Sequence, residues 1–185
     1  VLTMHIAVDM DDVVLDFVGG VVRAVNTEYG TNLTVRDVTN WELAEVLDPI
    51  IGRSWWAWLR DREWLWANFD AVPGAIGGVD TLRRRGHYME LVTSKPEWAE
   101  HNVWKWIGKW RPAFNRVTIV GSKDRKVDFT DAELLVDDKP SNCIEFITAG
   151  RQAILMNMPH NAGFLGLPRV HSWPSLIRVI DQVAG

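Results

Sequence analysis

Cysteine is almost missing from this 185-residue chain. Cys143 stands alone, so no disulfide can form within the chain and a reducing compartment is expected. No apolar run comes near the ~18 residues that would suggest a membrane helix, so no membrane span is expected. Positive charge is not in excess either. Twenty Lys and Arg against 24 Asp and Glu leave a formal net charge of −4, which argues against a nucleic-acid polymer as partner. A mildly acidic chain can still bind an anion where positive charge or a metal is concentrated locally. No charged-then-apolar leader opens the sequence, Met4 is the expected natural start, and the expected location is the cytoplasm.

What is present in excess is tryptophan, eleven in all. Trp55, Trp56, Trp58, Trp64 and Trp66 form one cluster, and Trp104 and Trp106 another. Such side chains either fill a small core or line a pocket for a flat ring. The length suits one ordinary domain carrying at most a modest insertion.

Short apolar runs alternate with helical patterns. Met4 to Val8, Tyr88 to Thr93, Arg116 to Val120, Glu133 to Asp137 and Gln152 to Met156 read as strands, and Val170 as the start of one more. Between and after them, residues 74–85, 96–110, 141–149 and 174–183 read as helices, as does a stretch from Val13 through Val25. This alternation predicts an α/β fold, a three-layer Rossmann-like core around a parallel sheet buried on both faces. From Gly30 to Asp70 no strand is legible. Thr39-Asn40-Trp41-Glu42 has capping-box spacing for a short helix through Leu47, and Pro49 reads as the first turn of another reaching Arg60. A further turn is expected from Asp61 to Ala67. The expected organisation is a core of residues 1–18 and 73–185 with a small helical cap, residues 19–72, inserted after the first strand and helix.

Acids and hydroxyls sit where the strands end. Asp9, Asp11 and Asp12 follow the first strand, and Asp9 and Asp11 leave on one side if strand geometry persists. Thr93-Ser94 and Lys95-Pro96 follow the second, Gly121 to Lys126 the third, and Asp137-Asp138 the fourth. In a parallel sheet all these ends share one edge, where α/β proteins bind ligands. Like charges that close need a shared proton or a cation. Hard oxygens at that density suit Mg²⁺, and hydroxyls with a lysine suit the oxygens of a phosphate. Together they describe phosphoryl transfer. Each piece alone is an ordinary turn or helix cap; their order along successive strand ends is what is specific.

That order, carried by VDMDDVVLDF, LVTS, a loop lysine and LLVDD, resembles the haloacid dehalogenase-like superfamily of phosphohydrolases. Phe17, the stretch Val72-Pro73-Gly74-Ala75 and the stretch LMNMPHN ending at Asn161 make it most similar to the 5'(3')-deoxyribonucleotidases. The resemblance implies that Asp9 is a nucleophile forming an aspartyl-phosphate. It makes Asp11 the acid that protonates the leaving oxygen and the base that then activates water. Thr93 and Ser94 would hold the phosphoryl group and Lys126 would neutralise it, with Lys123 as competitor because matching Lys126 needs a one-residue insertion. Mg²⁺ would be bound by Asp9, the main-chain carbonyl of Asp11, and Asp138, with Asp137 in support. Asp11 must then hold a proton at neutral pH while Asp9 stays ionised. Many members carry glycine where this chain has Asp12, and aspartate tolerates the positive φ of such a turn better than most residues. Phe17 is either a base-stacking residue or a core residue of the first helix, Trp64 and Trp66 fall near the family's cap aromatics, and His160 either reaches the site or lies on the surface.

The expected function is a Mg²⁺-dependent phosphomonoesterase acting on a small phosphate ester, a nucleoside monophosphate and foremost a deoxyribonucleotide. Two alternatives stand beside it: a phosphatase for a sugar phosphate or other small ester, and a non-catalytic protein that binds a phosphorylated ligand.

Overall fold

The computed structural model describes residues 2–40 and 43–184. Among these described residues six strands form one sheet: β1 (His5–Val8), β2 (Tyr88–Ser94), β3 (Arg116–Val120), β4 (Leu134–Asp137), β5 (Gln152–Met156) and β6 (Arg169–Val170). They lie in the order β3-β2-β1-β4-β5-β6, and every pairing is parallel. The expected α/β core is therefore what the chain forms. In this order the connections leave β1 in one direction and β4 in the other, so a crevice opens beyond their carboxyl ends.

The period-two alternation of strand side chains sorts the core into two layers. Ile6, Val8, Met89, Leu91, Leu134, Val136, Ile154 and Met156 face one way, into the larger apolar cluster. Ala7, Val92, Leu135, Ala153 and Leu155 face the other way. Helices α1 (Phe17–Tyr29), α5 (Ala75–Arg84), α6 (Glu100–Trp110) and α8 (Trp173–Ala184) contribute buried residues to the first cluster. The second face is covered by α7 (Pro140–Thr148), through Cys143 and Phe146, and by the short turn at Lys126–Asp128. Burial pushes the Cys143 thiol well above its ordinary pKa, so it packs as a small apolar group. On the same face Glu90 is fully buried, satisfied by His5 Nε2 at 2.8 Å, Thr118 Oγ1 at 2.5 Å and Thr130 Oγ1 at 2.6 Å.

Three local expectations are corrected. The first helix begins at Phe17, not Val13, because residues 10–15 close a tight loop. The N–H groups of Val14 and Leu15 both bond the Met10 carbonyl, and Asp12 sits at φ 57°. That loop imitates helical spacing without being a helix. Pro49 does not start a helix: it lies inside α2 (Ala44–Ile51), and the break falls at Gly52, φ 75°, before α3 (Trp55–Arg60). Of the Thr39–Glu42 capping box, Trp41 and Glu42 lie outside the described residues.

The remaining helix, α4 (Trp64–Asn68), completes the helical insertion. Chain exit and return are stitched together. Asp16 N–H bonds Asp70 O at 2.9 Å, Val72 N–H bonds Val14 O at 2.9 Å, and Leu15 bridges Ala71. The residue 18/19 boundary falls inside α1, which continues unbroken to Tyr29. Trp58, Trp66, Trp106 and Trp173 are buried, and the Trp106 indole donates to Phe69 O at 3.0 Å, fastening α6 to the insertion.

Candidate active site

The strand ends bring the acids to the crevice between β1 and β4. Asp9, one residue beyond β1, is buried, and its Oδ1 lies 2.5 Å from Lys126 Nζ. Lys126 is buried as well and reaches Asp137 Oδ2 at 2.7 Å. Burial alone would lower its pKa, but Asp137 and Asp9 outweigh that and hold it above the ordinary lysine value. Lys123 is exposed and does not line the cavity, so Lys126 is the loop lysine that meets the acids.

Asp137 is fully engaged: Oδ2 also accepts from Asn142 Nδ2 at 2.9 Å, and Oδ1 accepts the Lys139 N–H at 2.8 Å. Asp138 is not. Its Oδ2 meets His160 Nε2 at 2.8 Å, while its buried Oδ1 has no hydrogen-bond partner. One oxygen each from Asp9, Asp137 and Asp138 lies within 4.8 Å of the others. Burial, then Asp137 and Asp9, push the Asp138 carboxyl well above the usual carboxylate range. Burial likewise raises Asp137 against the pull of Lys126. Buried acids gathered around one lysine, with an orphaned carboxylate oxygen, are a donor set that fits a hard divalent cation such as Mg²⁺.

Asp12 adds to this charge. It is buried at its left-handed turn and accepts the Val18 N–H at 2.9 Å, which caps the start of α1. Burial, then Asp138, raise its pKa well above the ordinary range. Asp12→Asn keeps the turn and the cap but removes the acid, and is expected to stabilise the metal-free protein at neutral pH. Because the folded carboxyl holds its proton to higher pH than the unfolded one, the wild type loses stability as pH rises through that window. The gap in melting temperature between variant and wild type should therefore widen from acidic to alkaline pH. A gap independent of pH would contradict this.

Asp11 points elsewhere. Its carboxylate lines the cavity but is held by Lys95 Nζ on Oδ2 and by the Trp66 indole N–H on Oδ1, the latter at 3.1 Å. Ser94 lines the cavity, and the neighbouring Thr93 is buried with an unpartnered hydroxyl. Phe17 is buried at the start of α1 and also lines the cavity, its ring 5.0 Å from that of Trp66.

The cavity measures about 280 Å³. Asp9, Asp11 and Lys126 line it together with Phe17, Leu43, Trp55, Trp56 and Trp66. Trp64 is not brought to it. Residues two apart on a helix point about 200° apart, so α4 turns Trp66 inward and leaves Trp64 58% exposed. His160 joins the site, its side chain buried against Asp138. Lys95, Trp55 and Trp56 were not singled out from the sequence as site residues. Lys95 was placed only at the end of the second strand, before a proline, and only the aromatic cluster signalled the two tryptophans.

A family model described as "5' nucleotidase, deoxy (Pyrimidine), cytosolic type C protein" matches residues 3–184. The chain belongs to that family. Two Staphylococcus epidermidis proteins, each named "Putative 5'(3')-deoxyribonucleotidase", are 23% and 22% identical over 180 residues, with 97% of both chains covered. Among solved structures, a "putative phosphoglycolate phosphatase" from Lactobacillus delbrueckii subsp. bulgaricus aligns with a TM-score of 0.68 at 16% identity, covering 97% of this chain and 99% of that one. The "putative HAD-hydrolase YfnB" of Bacillus subtilis, solved bound to magnesium, aligns at 0.65 and 13%, covering 98% and 100%. These structures show a shared haloacid dehalogenase-like fold. This nucleotidase-family chain is thus a phosphatase of that fold, for which a small phosphate ester such as a nucleotide is the substrate class.

Proposed function

We propose that this nucleotidase is a Mg²⁺-dependent phosphomonoesterase that releases phosphate from (deoxy)ribonucleoside monophosphates through an aspartyl-phosphate on Asp9. The observation that carries the reading is the lining of one cavity, in which Asp9, braced by Lys126, shares the space with a cluster of aromatic rings. An Asp9 oxygen attacks phosphorus, the ester P–O bond breaks, and the leaving oxygen takes a proton from Asp11. Asp11 then removes a proton from water, which attacks phosphorus and releases inorganic phosphate, regenerating Asp9. Lys126 holds Asp9 in place and offsets charge on the transferring group, with Thr93 and Ser94 supplying hydroxyls to its oxygens. A bound Mg²⁺, held by Asp9, Asp138 and the Asp11 carbonyl with Asp137 behind, would supply further stabilisation of that charge. The catalytic residues belong to a core of residues 1–18 and 73–185, and Trp55, Trp56 and Trp66 to a helical cap of residues 19–72. A cytoplasmic site of action fits the single buried thiol; among the described residues no helix is long and apolar enough to cross a membrane.

Phosphate release from a panel of nucleoside monophosphates and sugar phosphates, with Mg²⁺ or with EDTA, tests the reading. Nucleotide turnover that EDTA abolishes supports it; unchanged turnover in EDTA, or a hundredfold preference for a sugar phosphate, contradicts it.

The lining rings give a sharper expectation. Trp56 is 40% exposed at the cavity, where stacking a base is worth ~1–3 kcal/mol. Trp56→Ala should raise KM for a nucleotide about five- to a hundredfold with a smaller effect on kcat. Trp64→Ala, outside the cavity, should leave both nearly unchanged. Equal effects of the two substitutions would refute the placement.

A further inference from the structure

Two lysines are buried among the described residues. Lys126 has its place in the phosphate site. Lys95 has none there: it follows β2, its side chain is 1% exposed, and it does not line the cavity. A cation taken so completely out of water has to be paired, and its ion-pair partner is Asp11. Its Nζ also lies over the face of Trp66, 4.5 Å from the ring centroid. The same indole donates its N–H to the other oxygen of Asp11. Asp11, Lys95 and Trp66 therefore close a triangle in which each member touches the other two.

The triangle joins separate parts of the fold. Asp11 and Lys95 come from the sheet edge, after β1 and β2, whereas Trp66 comes from α4 in the insertion. Both oxygens of Asp11 are fixed by groups from different elements, and rotation of the carboxylate breaks one bond or the other. We propose that Lys95 and Trp66 are positioning residues that hold the Asp11 carboxylate beside the entering phosphate, where it takes up the monoester's own proton and passes it to the leaving oxygen, so that proton transfer depends on the insertion being seated on the core. The proposal rests on the reading of Asp11 as proton donor. Lys95 acts through Asp11 and never touches the ester.

The leaving group supplies the discriminating test. An alkoxide leaves poorly without a proton, whereas p-nitrophenolate leaves without one. First-turnover product release is therefore compared for the alkyl phosphate that the wild type hydrolyses fastest and for p-nitrophenyl phosphate, in the presence of Mg²⁺. The first turnover excludes the later water step, in which Asp11 serves both esters alike. Lys95→Met should slow the alkyl ester on the order of a hundredfold and the aryl ester less than about threefold. Trp66→Phe, which keeps an aromatic ring but loses the pyrrole half of the indole with its N–H, should slow the alkyl ester about tenfold beyond any loss it causes on the aryl ester. Asp11→Asn should reproduce the pattern of Lys95→Met. Melting temperatures and circular dichroism identify a variant that has lost its fold, and Trp66→Phe then carries the test. Equal losses on both esters in a folded variant, or no loss on the alkyl ester, would overturn the role of the triangle while leaving the phosphatase reading intact. A wild type that hydrolyses neither ester would overturn both.

Discussion

Asp9→Asn is expected to lower phosphate release at least about a thousandfold, equivalent to ~4 kcal/mol of transition-state stabilisation, while leaving the fold in place. The amide nitrogen cannot form the acyl phosphate, and the retained oxygen is a far weaker nucleophile than a carboxylate. Yet that oxygen can still accept from Lys126, which keeps its second partner, Asp137, at 2.7 Å. One charge is also removed from a crowded set of buried acids. The melting temperature should consequently stay within a few degrees of the wild type or rise. Steady-state kinetics and a thermal melt on the same preparation check both halves. An unfolded variant, or one with more than about a tenth of wild-type activity, contradicts the account.

Lys126→Met should fail in both respects. The methionine removes a cation that touches both Asp9 and Asp137, leaving two buried carboxylates without it. Breaking such a cluster by deleting one partner costs about 3–5 kcal/mol, or roughly 6–20 °C in melting temperature for a chain of this size. Activity should fall by a further factor on the order of a hundred or more through loss of charge stabilisation. The sign with pH follows from the raised pKa of Lys126. Its contribution is fully present below the ordinary lysine value and disappears as pH rises through the folded value, so the gap between wild type and variant should close only in strong alkali. A variant as stable as the wild type at neutral pH would mean that the buried network contributes little to the fold.

The contrast between these two substitutions reflects what the sequence carries and what it does not. Asp9, Asp137 and Asp138 were legible because each follows a short apolar strand, and a parallel sheet obliges those ends to share an edge. The strands were legible for a related reason: double-sided burial writes itself as a continuous apolar run. Lys95 was not legible, since nothing local distinguishes a buried lysine from a solvated one; its partner Asp11 lies 84 positions away in sequence. Trp64 and Trp66 looked equivalent until the register of α4 turned them to opposite sides. The start of α1 was misplaced because a tight loop with its own bonds to Met10 mimics helical spacing, and the break at Gly52 was masked by the stronger signal of Pro49. His160 reaches Asp138 only because the loop after β5 folds back over β4. In each case the missing information is tertiary. The chemistry was written at strand ends, and the positioning of that chemistry was not.

The most direct test of the central claim is a rapid acid quench of the nucleotidase during its first turnover of a nucleoside monophosphate labelled in the phosphoryl group, followed by peptide mapping. The account predicts a transient label on the peptide that contains Asp9, rising before free phosphate and absent from Asp9→Asn. Labelled phosphate that appears at the full single-turnover rate with no label on that peptide at any quench time, or with the label on another residue, would contradict it.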